Sequence, residues 1–150
     1  MRFSRRVSLL AFIAAIAAGA LNGCAADTGP KTVLMTVKTS VGETVADADG
    51  RAVYLYSQDE QGSGKSSCDA ACLASWPAVT TDSTDPQGTG IDAKIGEIPA
   101  PGGGYQLTLN GWPLYYFDGD TVPKTIKGQG IGGVWWLLTP AGDRITDIGR

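Results

Sequence analysis

The stretch Gly50-Arg51-Ala52-Val53-Tyr54-Leu55-Tyr56-Ser57-Gln58-Asp59 decides the fold, because it returns as Gly111-Trp112-Pro113-Leu114-Tyr115-Tyr116-Phe117-Asp118-Gly119-Asp120. Both copies read Gly, two residues, aliphatic, Tyr, any residue, aromatic, two residues, Asp, at an offset of 61 positions. Farther on, residues 76–80 lie against residues 135–139 at an offset of 59, matching Trp76 to Trp135. A spacing that drifts by so little across two motifs identifies one supersecondary unit present twice. The repeats are expected at about 32–80 and 100–146 within a single domain spanning 32–150.

Each motif is rich in aromatic and β-branched residues, which predicts strands at 53–56 and 114–117. Side chains alternate along a strand, so Tyr54 and Tyr56 share one face while Val53 and Leu55 share the other. Tyr115 and Phe117 repeat that arrangement against Leu114 and Tyr116. One face is expected to be core, formed or flanked by Tyr54, Tyr56, Tyr115, Phe117, Trp76 and Trp135. Alternating candidates precede both motifs: Val33, Met35 and Val37 in the first half, and Tyr105, Leu107 and Leu109 in the second. Asn110-Gly111 is a tight hairpin signal because both residues tolerate positive φ, and Asp49-Gly50 is its counterpart.

The copies diverge after the motif Asp. Ser66-Ser67 precedes Cys68-Asp69-Ala70-Ala71-Cys72, with Pro77 beyond, which predicts a short helix near Cys68–Ser75 with a Ser cap. The second copy has Gly128, Gly130, Gly132 and Gly133 instead. Residues 80–104 read as a long irregular connection with one short element around 95–98. The predicted fold class is therefore mainly β: a small antiparallel β domain of two related repeats with one short helix.

The N-terminus carries an address. Arg2, Arg5 and Arg6 precede an apolar stretch at 7–21, too short for a membrane span of roughly 20 residues but suited to a secretory signal. It closes on Leu21-Asn22-Gly23-Cys24, which reads as a lipoprotein cleavage site. Residues 1–23 are expected to be a lipoprotein signal peptide, Cys24 the lipidated residue, and 24–31 a tether. Ser4-Arg5-Arg6 is only weakly similar to a twin-arginine signal, so the export route stays open. The expected location is the bacterial cell envelope, with the membrane as partner through the lipid.

Composition removes whole classes of function. The chain has 12 basic and 15 acidic residues, and three of the basic ones fall in the signal. An acidic domain without basic runs is repelled by phosphate backbones, so no nucleic acid is expected as partner. There is no His. Without imidazole the usual general base and the commonest transition-metal ligand are missing, which argues against Ser-His or Cys-His catalysis and ordinary zinc or copper sites. No catalytic residue, metal or cofactor is expected.

The remaining candidates each carry a structural reading and a functional one. Asp59 and Asp120 fall just past the motif strands, where an Asp caps a turn by accepting backbone N–H bonds; that role is preferred to catalysis. Asp118 and Asp120 could hold calcium, but no EF-hand spacing with a terminal Glu follows. Cys68 and Cys72 form a pair that an oxidising compartment would close into a disulfide, and the helical spacing of four is within reach. A thiol-redox or electron-transfer role for that pair is the alternative, weakened by Cys-x-x-x-Cys spacing and by the lack of a basic neighbour nearer than Lys65. Trp135 and Trp136 face opposite ways, leaving one available to stack on a glycan or another protein, unless loops bury both.

Taken in order, these motifs bring a family into view. Tyr54/Tyr56/Asp59, Tyr115/Phe117/Asp120, Cys68-x-x-x-Cys72-x-x-x-Trp76-Pro77, residues 111–117, Gly128-Gln129-Gly130 and Trp135-Trp136 resemble the predicted bacterial lipoproteins called the secreted repeat of unknown function. The likeness covers residues 45–146. Where the family commonly has Trp-Pro-Pro, this chain has Trp76-Pro77-Ala78. The resemblance implies an exported, usually lipid-anchored, β-rich domain with a duplicated repeat. The function expected is a noncatalytic binding or assembly module, with an envelope protein or glycan as partner.

Overall fold

The computed structural model describes residues 31–149, so the expected signal peptide, the lipidated Cys24 and the tether up to residue 30 lie outside the described residues. The described chain runs β1 (Lys31–Thr39), β2 (Gly42–Asp47), β3 (Tyr54–Tyr56), α1 (Ala70–Ser75), β4 (Thr80–Thr81), β5 (Pro86–Thr89), β6 (Ile95–Pro99), β7 (Tyr105–Leu109), β8 (Trp112–Pro113) and β9 (Trp135–Leu137). It is mainly β, mostly antiparallel, with one short α-helix and a single 3-10 turn at Ile131–Gly133.

Both predicted turn dipeptides reverse the chain. Asn110 and Gly111 take φ of 49° and 83°, joining β7 to β8 in the register Leu109↔Trp112. This two-residue geometry needs positive φ at both central positions, which Asn and Gly tolerate. Asp49-Gly50 sits in the turn from β2, closed by Asp47 N–H donating to Arg51 O and by the Ala46↔Ala52 bridge. The counterpart of β7 is thus β2, not the alternating run at 33–37. That run belongs to β1, which pairs with β2 as β6 pairs with β7. Strand β2 escapes a sequence reading because its core-facing Val45 is flanked by Gly42, Glu43 and a buried Thr44, which hide the alternation.

Two further expectations are corrected. Residues 80–104 hold three strands rather than one short element, and β5 runs parallel to β1 in register Lys31↔Pro86 to Met35↔Thr89, with a bulge. A parallel pair needs a crossover, and the body of the first repeat, from the end of β1 at Thr39 to Pro86, supplies it. The helix starts at Ala70 with Asp69 as its cap: the Asp69 carboxylate accepts from Cys72 N–H, so Cys68 lies outside the helix and the expected Ser cap is displaced. Ser66 caps Cys68 N–H instead.

The motif strands form the middle of the molecule. Tyr54 and Tyr115 face each other and exchange both backbone hydrogen bonds, at 2.8 and 2.9 Å. On the outer side of the first motif runs β9, with Tyr54↔Leu137 and Tyr56↔Trp135. On the outer side of the second runs the segment after Trp76, through Tyr116 N–H to Pro77 O and Val79 N–H to Leu114 O. The Trp strand of each repeat therefore pairs with the motif of the other repeat. Ser57 N–H to Val134 O and Asp118 N–H to Ser75 O repeat the same relation at both ends.

Both faces of this central layer are buried, where one had been expected. Val53, Leu55, Leu114, Val79 and Leu138 face an aliphatic core with Leu34, Val45, Leu107 and Leu109. Tyr54, Tyr115, Trp76, Trp135 and Leu137 face an aromatic core with Ala52 and Cys68. The motif aromatics make one of two cores, and each fully buried Leu on the other contributes about 2 kcal/mol. Strands covered on both sides read as near-continuous apolar runs, which residues 52–56 and 114–117 are.

Candidate functional site

Eight of the nine motif residues singled out from sequence converge on the aromatic face. Tyr54 Oη donates to Asp120 Oδ2 at 2.5 Å, and Tyr115 Oη donates to Asp59 Oδ2 at 2.7 Å. The Tyr of each copy thus bonds the Asp of the other. Asp59 Oδ1 also accepts from Ser67 N–H and Ser67 Oγ, both at 2.7 Å, and Asp120 Oδ1 accepts from Lys127 N–H at 2.9 Å. Both aspartates are buried, and a buried carboxylate is tolerated when its lone pairs are met. The expected turn-capping role holds in part: each Asp does receive a backbone N–H, but its second oxygen reaches across to the other repeat.

The phenols answer to the same surroundings. Burial, and then the Asp120 carboxylate, push the Tyr54 pKa well above the ordinary phenol range. Burial does the same at Tyr115, where Ser66 at 2.6 Å works against the rise and Asp59 with it. Since the Tyr115 proton goes to Asp59, Ser66 Oγ donates to Tyr115.

Four rings stack in the order Tyr56, Trp135, Trp76, Phe117, with centroid separations of 4.3, 3.8 and 4.5 Å. Trp76 and Trp135, equivalent in the two repeats, are parallel within 2°. Tyr54 meets Trp76 edge-on at 5.5 Å, and Tyr115 meets Trp135 edge-on at 5.3 Å. Edge-to-face and offset pairs of this kind each contribute about 1 kcal/mol beyond burial. Gly128 closes the stack: a Cβ there would come within 2.8 Å of Tyr54 and 2.9 Å of Trp76.

Cys68 and Cys72 form a disulfide with Cα atoms 5.3 Å apart, packed against this same cluster. Trp136, the ninth residue, is separated from the others. Its neighbour Trp135 is only 5 % exposed within the stack, whereas Trp136 lies half-buried on the aliphatic side with Arg144 5.5 Å from its ring centre. Asp118 is exposed, whereas Asp120 is buried with its two oxygens taken by Tyr54 Oη and Lys127 N–H.

Several residues escaped the sequence reading. Arg51 lies 4.2 Å over the Tyr116 ring and donates to Phe117 O, while Tyr116 Oη donates to Asp47 at 2.9 Å. Asp47, Asp49, Arg51 and Tyr116 line a cleft of about 300 Å³ bounded by residues 120–123. Ser66 and Ser67, expected as a helix cap, bond the Tyr115–Asp59 pair, and Ser67 and Lys127 stand eight and seven places after their motif Asp, the distance at which the loop returns.

Among known proteins, no curated protein and no solved structure matches this chain. A family profile does, twice, at residues 35–80 and 98–139, and it covers more than half of the sequence. Those two segments are the halves joined by the Tyr–Asp exchange, and the chain belongs to the family described as the secreted repeat of unknown function.

Proposed function

We propose that this protein is an exported envelope module, anchored through lipidated Cys24, that binds or assembles with a partner and catalyses no reaction on it. The observation supporting this reading is the reciprocal use of the motif. Tyr54, Tyr115, Asp59 and Asp120 satisfy one another in buried positions, so the residues that define the repeat hold its halves together. Functional contacts then belong to the surface around this clasp, including the Arg51–Tyr116–Asp47 cleft. The partner class is an envelope protein or glycan, with the membrane reached through the lipid.

The disulfide supports the staple reading over the thiol-redox alternative. Cys68 is buried, and the Asp69 carboxylate caps the helix by accepting from the Cys72 N–H, so a negative charge beside the pair disfavours a thiolate.

The test is a crosslinked capture from native membranes, run beside Cys24→Ala. Wild type should sediment with membranes and carry a lipid-sized mass on Cys24, and it should bring down a reproducible partner. Membrane retention of Cys24→Ala at mature size overturns the anchor, and enzymatic conversion of the captured partner by purified protein overturns the noncatalytic reading.

A further inference from the structure

The ring stack is a continuous path of aromatic contacts. It runs without a gap from Tyr56 to Phe117, both half-buried, through two tryptophans that are 5 and 6 % exposed. Indole and phenol are among the side chains most readily oxidised by one electron, and tunnelling between rings in contact is fast. An oxidised phenol is a strong acid, so a hole rests on tyrosine only where an acceptor already holds the proton. Tyr54 and Tyr115 flank the two tryptophans, and each phenol donates to a carboxylate, Asp120 or Asp59.

We propose that this stack conducts a hole from the protein surface to Tyr54 and Tyr115, making the domain a sink for one-electron oxidants of the oxygen-radical class. The oxidant takes one electron through the Tyr56 end of the stack and leaves as its reduced anion. The resulting indole radical cation at Trp135 or Trp76 takes an electron from the adjoining tyrosine. Its phenolic proton moves to the facing carboxylate oxygen, leaving a neutral phenoxyl radical beside a neutral carboxylic acid. A small one-electron donor of the thiol or phenol class gives the tyrosine an electron, releases its own proton to water and leaves as a thiyl or phenoxyl radical, while the carboxylic acid returns the phenolic proton. Two Tyr–Asp pairs on one stack give two resting places. This inference does not rest on the binding or assembly reading.

The experiment is flash-quench photo-oxidation of the disulfide-closed protein, with a soluble ruthenium polypyridyl complex as photo-oxidant and a sacrificial electron acceptor. Tyr105→Phe and Tyr116→Phe are included in all proteins, because Tyr105 is 45 % exposed and Tyr116 has its own carboxylate partner. A neutral tyrosyl radical should appear by electron paramagnetic resonance. Tyr54→Phe should remove roughly half of the yield, and Trp76→Phe should slow its formation. Trp136→Phe, on the opposite face, should change nothing. High-field spectra need no core substitution and report whether the phenoxyl oxygen accepts a hydrogen bond, as protonated Asp120 or Asp59 would supply. A radical without that bond, or a yield indifferent to Tyr54→Phe, overturns the proposal.

Discussion

Tyr54 lies 66 positions before Asp120 and bonds it in preference to Asp59, the aspartate of its own motif. The motif is therefore a contact between copies, and one copy alone lacks the partners that its buried phenol and carboxylate require. Leaving either group unmet in the interior costs about 1–3 kcal/mol.

A double-mutant cycle reads this exchange directly. Tyr54→Phe and Asp120→Asn should each destabilise by about 2 kcal/mol, and together by less than their sum, because the second substitution no longer breaks an intact bond. Tyr115 with Asp59 should behave the same way. The side chains of the within-motif pair Tyr54 and Asp59 share no hydrogen-bonding group, and their substitutions should add to within about 0.5 kcal/mol. Urea midpoints at constant slope provide the measurement. Stronger coupling inside a motif than between motifs contradicts the exchange.

How far the sequence reaches is visible in particular residues. Duplication, the 53–56 and 114–117 strands, the Asn110-Gly111 turn and the aromatic core all follow from local pattern and spacing. The partner of each Tyr does not, because a repeat is equally consistent with two separate halves and with two exchanged ones. The choice is made by long-range pairing: Tyr54 takes Tyr115 on one edge and Leu137 on the other. The second, aliphatic core was legible in the unbroken apolar runs, yet alternation alone favours one buried face. Strand β5 left little trace, since Pro86-Gln87-Gly88-Thr89 has none of the usual strand composition and is extended by its pairing with β1.

Gly128 offers a sharper test of the stack. Its φ is not in the left-handed region, so the need for glycine there is one of space. Gly128→Ala puts a methyl within 3.0 Å of Tyr54, Trp76 and Phe117, all held by neighbours. Overpacking of this kind costs about 1–3 kcal/mol. The variant should melt lower and lose near-ultraviolet circular dichroism intensity from the stacked indoles. Wild-type melting with an unchanged aromatic signal would show that the rings do not press on this backbone.

The disulfide should matter less than the clasp. It closes a loop of only a few residues, and the chain-entropy account assigns such a loop about 2 kcal/mol. Cys68→Ala with Cys72→Ala should therefore fold, with a lower urea midpoint and an intact Tyr–Asp exchange. Complete unfolding of that variant at neutral pH and room temperature would make the bridge a condition of folding rather than a staple.

Alkali should open the molecule in a particular way. Tyr54, Tyr115 and Tyr116 are each held neutral past the ordinary phenol pKa of about 10, first by burial and also by a facing carboxylate. The folded state then binds more protons than the unfolded chain once the pH passes that ordinary value. The contribution of these groups is fully present below about pH 10 and is lost as the pH climbs toward their folded values, so stability falls with rising pH in that window. Tyrosinate absorbance followed beside far-ultraviolet circular dichroism should show these three phenols ionising together with loss of structure. Smooth ionisation of all five tyrosines while the β signal persists would mean that the phenols are reached by hydroxide in the native fold, against the burial seen for Tyr54 and Tyr115.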